Sequence, residues 1–140
     1  MLRVVLDTNV IVSALLSPSG TRGRILERLL GGAFELVMSP HLLDELKRAL
    51  GYSKVKRYLR LTADKRETLL AQLETIADPV QGDLALSVDV KDRQDLAVLA
   101  AAVEGRAEYV VTGDKDLLVL GQYEGIAIVS PRAFLDVLGA

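Results

Sequence analysis

Apolar residues follow two spacings along this chain. Short continuous runs at 2–6, 35–38, 108–111 and 126–129 have the length of strands buried on both sides. Between them, apolar positions recur at helical spacing. Asn9 to Leu16 and Thr21 to Leu30 read as two short helices, divided by the turn Ser17-Pro18-Ser19-Gly20. Ser39 followed by Pro40 supplies an N-cap and a first helical position for a helix running to about Leu50. Thr62 caps a longer helix in which Leu69, Leu73 and Ile76 share a face. Asp78-Pro79 and Gly82 mark turns, and Leu84 to Val90 has room for a short strand. Asp95 to Val103 is apolar on nearly every face, which predicts a buried helix, and a final helix begins near Pro131. Alternation of this kind predicts a mainly parallel sheet between two helical layers, a three-layer α/β/α fold. No repeat or linker interrupts it, so residues 1–140 are expected to form one domain.

Ligands in open parallel sheets gather beyond the carboxyl ends of the strands. Asp7 closes the first apolar run, and Asp114 follows Tyr109-Val110-Val111 and the turn Thr112-Gly113. Asp95 opens a helix that starts from the same edge. Glu45 flanks the apolar arc of Leu42, Leu43, Leu46, Ala49 and Leu50 and can face a cleft, whereas Asp44 is expected to face solvent. Two carboxylates ~4 Å apart oppose each other by about 4 kcal/mol at an effective dielectric of ~20. Four together require bound cations or retained protons. An all-oxygen donor set suits Mg2+ or Mn2+, and so points to metal-dependent phosphoryl chemistry. Each residue also has an ordinary role open to it. Asp92 or Asp95 can cap a helix, Asp114 and Asp116 can be turn and first-turn residues, and Asn9, the chain's sole Asn, can cap the helix after Asp7. His41, the one histidine, is expected in an exposed first helical turn, which disfavours a Ser-His-Asp hydrolase or a His-based nuclease.

Composition narrows the classes further. The chain has no Cys, hence neither a disulfide framework nor a thiolate metal site. No uncharged apolar stretch approaches the ~20 residues that span a bilayer, and Asp7 interrupts the first one, so a soluble cytoplasmic protein without a membrane partner is expected. The net charge is −2, but eight of the 17 basic residues stand between Lys47 and Arg66, with only Asp64 opposing them inside that window. Lys54, Lys56 and Arg57, interleaved with Tyr52 and Tyr58, form a candidate nucleic-acid surface; a solvated helical face or a protein contact are the alternatives.

Asp7-Thr8-Asn9 after a strand, Glu45 after Ser39-Pro40, Asp95 before Leu96-Ala97-Val98-Leu99-Ala100, and Val111-Thr112-Gly113-Asp114-Lys115-Asp116-Leu117-Leu118 together resemble the PIN-domain nucleases. The resemblance extends through the tail Ile126 to Leu135 and is closest to the branch of VapC-like toxins in toxin–antitoxin pairs. It implies a metal-dependent endoribonuclease of PIN-like fold. Asp7, Glu45, Asp95 and Asp114 would be its catalytic metal-site acids, with Asp116 as an added ligand and Asn9 and Thr112 as supporting polar residues. It also implies RNA as substrate, an antitoxin partner and a homodimer. Arg93-Gln94 departs from the branch, which often carries Pro and an acid there. Two other readings compete: a catalytically inactive PIN-fold module that binds nucleic acid or a partner, and an aspartyl-phosphate phosphatase acting through Asp7. The phosphatase usually needs a second Asp where this chain has Asn9.

Overall fold

The computed structural model describes residues 1–59, 62–88 and 90–139. Six strands form one sheet: β1 (Arg3–Leu6), β2 (Glu35–Met38), β3 (Asp78–Pro79), β4 (Tyr109–Val111), β5 (Gln122–Tyr123) and β6 (Ile126–Val129). Their spatial order is β3-β2-β1-β4-β6-β5, parallel throughout except for β5 against β6. Val4, Val5 and Leu6 of the central β1 are fully buried, and so are Leu36 and Val37 of β2. That explains runs with no polar alternation, because both faces of these strands are covered. Near the edge, β6 alternates, burying Ile126 and Ile128 more deeply than Ala127 and Val129.

Eight helices are present among the described residues. They are α1 (Thr8–Leu16), α2 (Thr21–Leu30), α3 (Pro40–Leu50), α4 (Ser53–Leu59), α5 (Ala63–Ile76), α6 (Arg93–Glu104), α7 (Lys115–Leu120) and α8 (Pro131–Leu138). The chain leaves β1 toward β2 on one side and returns from β3 to β4 on the other. Right-handed crossovers therefore put α1 and α6 on opposite faces of the sheet. The α6 helix packs directly on β1, β2 and β4, while α1 packs on α2 and α3. Small residues permit the close approach of α6: Ala100, Ala101 and Ala102 are buried, and the Gly105 that ends it presses on Val37 where no Cβ would fit. The order reverses between β1 and β4, and in open α/β sheets that is the place where a crevice opens at the carboxyl edge.

Several caps follow the sequence reading. Ser39 Oγ accepts from the Leu42 amide and Thr62 Oγ1 from Lys65, and the helix expected near Pro131 has its own cap in Ser130, whose Oγ accepts from Ala133. Four readings are corrected. The cap of α1 is Asp7 rather than Asn9, since helix geometry already begins at Thr8. The helix expected to open at Asp95 starts at Arg93 and is capped by Asp92, whose Oδ1 accepts from the Gln94 amide at 2.7 Å. On α5 the buried pair is Leu70 and Leu73, and Ile76 is 41% exposed, so the covered stripe runs through Leu70 and not through Ile76. No strand occurs in the described part of 84–90. The edge strand is instead Asp78–Pro79, where Pro is tolerated because an edge leaves one side of the ladder unpaired. Among the described residues no helix is long and apolar enough to cross a membrane.

Candidate metal centre

Asp7 emerges from β1 into the crevice at the switch point and is only 3% exposed. Its backbone amide donates to Val111 O at 3.0 Å, extending the β1–β4 ladder by one step. Its Oδ1 accepts from the Asn9 amide at 3.3 Å, and its Oδ2 accepts from Thr112 Oγ1 at 2.8 Å. Thr112 is fully buried at the end of β4 and is held there by its own amide donating to Val129 O. The same Thr112 hydroxyl oxygen accepts from the Asp114 amide at 3.0 Å. One hydroxyl thus links the Asp7 carboxylate to the backbone that carries Asp114.

Asp114 caps α7, accepting from the Asp116 amide at 2.8 Å. Asp95, in the first turn of α6 and 2% exposed, meets it from the opposite side. Asp95, Asp114 and Asp116 each offer an oxygen within 4.8 Å of the other two. Asp95 Oδ2 is buried without a hydrogen-bond partner. A buried carboxylate oxygen with neither donor nor counter-charge is costly, and the commonest remedies are a proton or a cation. The proton affinities agree with this. Burial first, then the charges of Asp114 and Asp92, push the Asp95 carboxyl up to about 7. Burial also raises Asp7, opposed by the hydrogen bonds from Thr112 and Asn9 and reinforced by Asp114 and Asp92. Hard oxygen donors at this spacing, one of them orphaned, fit an ion such as Mg2+ or Mn2+.

The structure does not gather every expected residue. Glu45 stands outside the close trio, with Oε2 engaged by Arg48 Nη1 at 3.2 Å. It lies on α3, which packs against both α1 and α6, so its helix borders the crevice even though its carboxylate is held elsewhere. Asp44 is exposed, at the rim of an apolar groove beside Leu43 and Glu74. Asn9 is exposed and lines a depression of about 240 Å3 with Asp7, Ser13, Arg22 and Asp114. Asp95, Asp92 and Asp116 line a second opening of about 730 Å3. His41 is exposed, as expected.

Lys54, Lys56 and Arg57 are exposed on α4, with Tyr58 68% exposed beside them. The helix packs on α1 and α3, the elements that follow Asp7 and carry Glu45. Lys47 and Arg48 are less available than their sequence window implied. Lys47 pairs with Glu74 of α5 at 3.4 Å, and Arg48 pairs with Glu45. Arg60 of the same basic stretch lies outside the described residues. Arg22 was not anticipated at all; nothing local marks it, and only the packing of α2 beside the β4–α7 turn brings it to the acidic edge.

Thr112 offers a direct test of how the site is held. Thr112→Val keeps the shape but removes the donor to Asp7 and the acceptor for the Asp114 amide. Divalent-ion affinity, measured by calorimetry, is expected to fall roughly 10- to 100-fold, as for other groups that orient metal ligands. Unchanged affinity would show that Asp7 and Asp114 are positioned without it.

The class defined by this fold and site is an open α/β sheet with an acidic crevice at its switch point. The family profile described as PIN domain matches residues 3–116, and the chain belongs to the PIN domain family. It is similar to the uncharacterized protein MJ1680 of Methanocaldococcus jannaschii, 29% identical over 119 residues that span 85% of this chain and 75% of that one. Its fold is similar to a chain in the crystal structure of VapBC2 from Rickettsia felis bound to a DNA fragment from their promoter. The TM-score is 0.55 at 15% identity, covering 92% of this chain and 98% of that one.

Proposed function

We propose that the chain is a divalent-metal-dependent endoribonuclease, the toxin of a toxin–antitoxin pair. The observation that carries this reading is the buried, unpartnered Asp95 Oδ2 beside the Asp114 and Asp116 carboxylates. Asp7, Asp95 and Asp114 would hold Mg2+ or Mn2+, with Asp116 as a further donor and Glu45 joining once its carboxylate leaves Arg48. Such an ion supplies a coordinated water of lowered pKa and stabilises charge on the attacked phosphate. The chain's own residues do the rest. Thr112 locks the Asp7 carboxylate and the Asp114 backbone in one geometry. Asn9, exposed beside Asp7, orients a bound water or the substrate. Lys54, Lys56 and Arg57 contact phosphates, and Tyr52 and Tyr58 offer faces on which unpaired bases stack.

An antitoxin that covers the acidic crevice, a homodimer, a cytoplasmic location and one domain over residues 1–140 complete the proposal. They are supported by the sequence motifs, and the antitoxin also by the fold shared with VapBC2. The test is the purified chain with labelled RNA and DNA strands, in Mn2+, in Mg2+ and in chelator. RNA cleavage that chelator stops, leaving a 5′-phosphate on one product, is expected. Cleavage that persists in chelator, or none with either ion, overturns the reading.

Charge reversal of Lys54, Lys56 and Arg57 tests the substrate surface. Removing three contacts to a single strand should flatten the slope of log binding constant against log salt by about 2. Metal affinity should not change. An unaltered slope would make α4 a solvated face.

A further inference from the structure

One cation is built into the wall of the acidic site. Arg22, half-buried in the first turn of α2, sends its guanidinium against the backbone of Gly113, between the end of β4 and Asp114. A Cβ on Gly113 would stand 2.8 Å from Arg22 Nη2, the tip of a flexible side chain, so the guanidinium lies directly against this turn and a methyl group there would make it shift. Arg22 lines the same depression as Asp7, Asn9, Ser13 and Asp114. Among the described residues it nevertheless forms no salt bridge, in contrast to Arg3 and Arg48, which both hold carboxylates. An arginine beside carboxylates but not spent on them keeps its planar fork of donors available for another oxyanion. Bidentate recognition of phosphate is what that fork does best.

We infer that Arg22 binds a phosphate of the RNA strand at the Asp7–Asp114 side of the crevice and sets the strand's register against the acidic cluster. A polyanion entering a pocket of aspartates needs local positive charge besides any metal, and Arg22 supplies it where the strand must pass. The exposed Asn9 amide and the Ser13 hydroxyl line the same depression and can complete the cradle. This inference rests on the nuclease reading above.

The experiment compares wild type with Arg22→Met, Arg22→Lys and Gly113→Ala in Mn2+. It measures RNA cleavage at several salt concentrations, Mn2+ affinity by calorimetry, and melting temperature. Arg22→Met should lower kcat/KM roughly 10- to 100-fold, the loss of a charge-assisted hydrogen bond. Its salt dependence should flatten by about 0.7 in slope, one phosphate contact on a single strand. Arg22→Lys should recover only part of the loss, because it keeps the charge without the fork. Gly113→Ala, which retains the arginine but displaces it, should fall between wild type and Arg22→Met. Mn2+ affinity and melting temperature should hold for Arg22→Met. Equal kcat/KM and equal salt slope in wild type and Arg22→Met overturn the inference and leave the nuclease standing. A loss that follows weakened Mn2+ binding or a lowered melting temperature also overturns it, by making Arg22 a structural counter-charge. A wild type that cleaves no RNA overturns both.

Discussion

Asp95→Asn is expected to reduce RNA cleavage at least about 100-fold, more than the 10- to 100-fold typical of groups that only orient a metal ligand. The change swaps one oxygen for an amide of the same shape, so α6 should keep its seat on β1 and β4. What disappears is a charged donor whose Oδ2 has no partner within the protein. The same substitution should alter stability with the opposite sign. In the metal-free protein the Asp95 carboxyl is raised from 3.8 to about 7 by burial and by its acidic neighbours. The folded state therefore binds the proton more tightly than the unfolded chain. This contribution is fully present below pH 3.8 and is lost as pH rises through about 7. In chelator, wild type minus Asp95→Asn should thus grow less favourable from pH 4.5 to 8, and millimolar Mn2+ should restore the wild type alone. Full activity in the variant, or a difference that does not move with pH, would remove Asp95 from the metal site.

Phe134→Ala should cost about 3–5 kcal/mol, the range for truncating a fully buried aromatic. Phe134 sits on α8 with no exposed surface, its ring edge-on to Phe34 at 5.1 Å and tilted against Tyr109 of β4 at 5.7 Å. Those contacts join the last helix to the approach to β2 and to the central strand that leads to Thr112. The α8 helix packs on α2 as well, so the cavity would border the element that carries Arg22. A domain's whole stability is about 5–15 kcal/mol, so this single change should lower the melting temperature by roughly 10–20 °C. Phe134 lies beyond residues 3–116, the span that the family profile matches. A shift of only a degree or two would mean that the C-terminal helix is an appendage rather than part of the folding core.

The strands β1, β2 and β4 are legible as apolar runs because strands covered on both faces tolerate little else, and β6 is legible as a run of the same length although its burial alternates. The caps Ser39 and Thr62 are legible because each hydroxyl bonds an amide three residues on, a wholly local event. Asp7 and Asp114 stand out for the same reason: each is the first acid after a buried strand in a sheet whose carboxyl edge collects ligands. Short-range chemistry stops being informative where pairing is remote. The two residues of β3 are a strand only because Val37 and Met38 lie alongside them, and their own Asp-Pro reads as a turn. Which of Asp92 and Asp95 caps α6 depends on where the helix meets β1 and β4, and that choice frees Asp95 to face Asp114. Thr112 meets Asp7 across 105 positions, and Arg22 meets Gly113 only because α2 packs beside the turn after β4. Glu45 and Arg48 are the contrasting case, three residues apart on one helix, a pairing that lies within the reach of sequence spacing. Hydrogen bonds and charge repulsion act over a few ångströms of space, and sequence spacing reports that distance only within a helix or turn. The alphabet of elements and the acids at the sheet edge were therefore determined by the sequence itself. Which of those acids touch, which one is orphaned, and which cation faces them were decided by the tertiary structure.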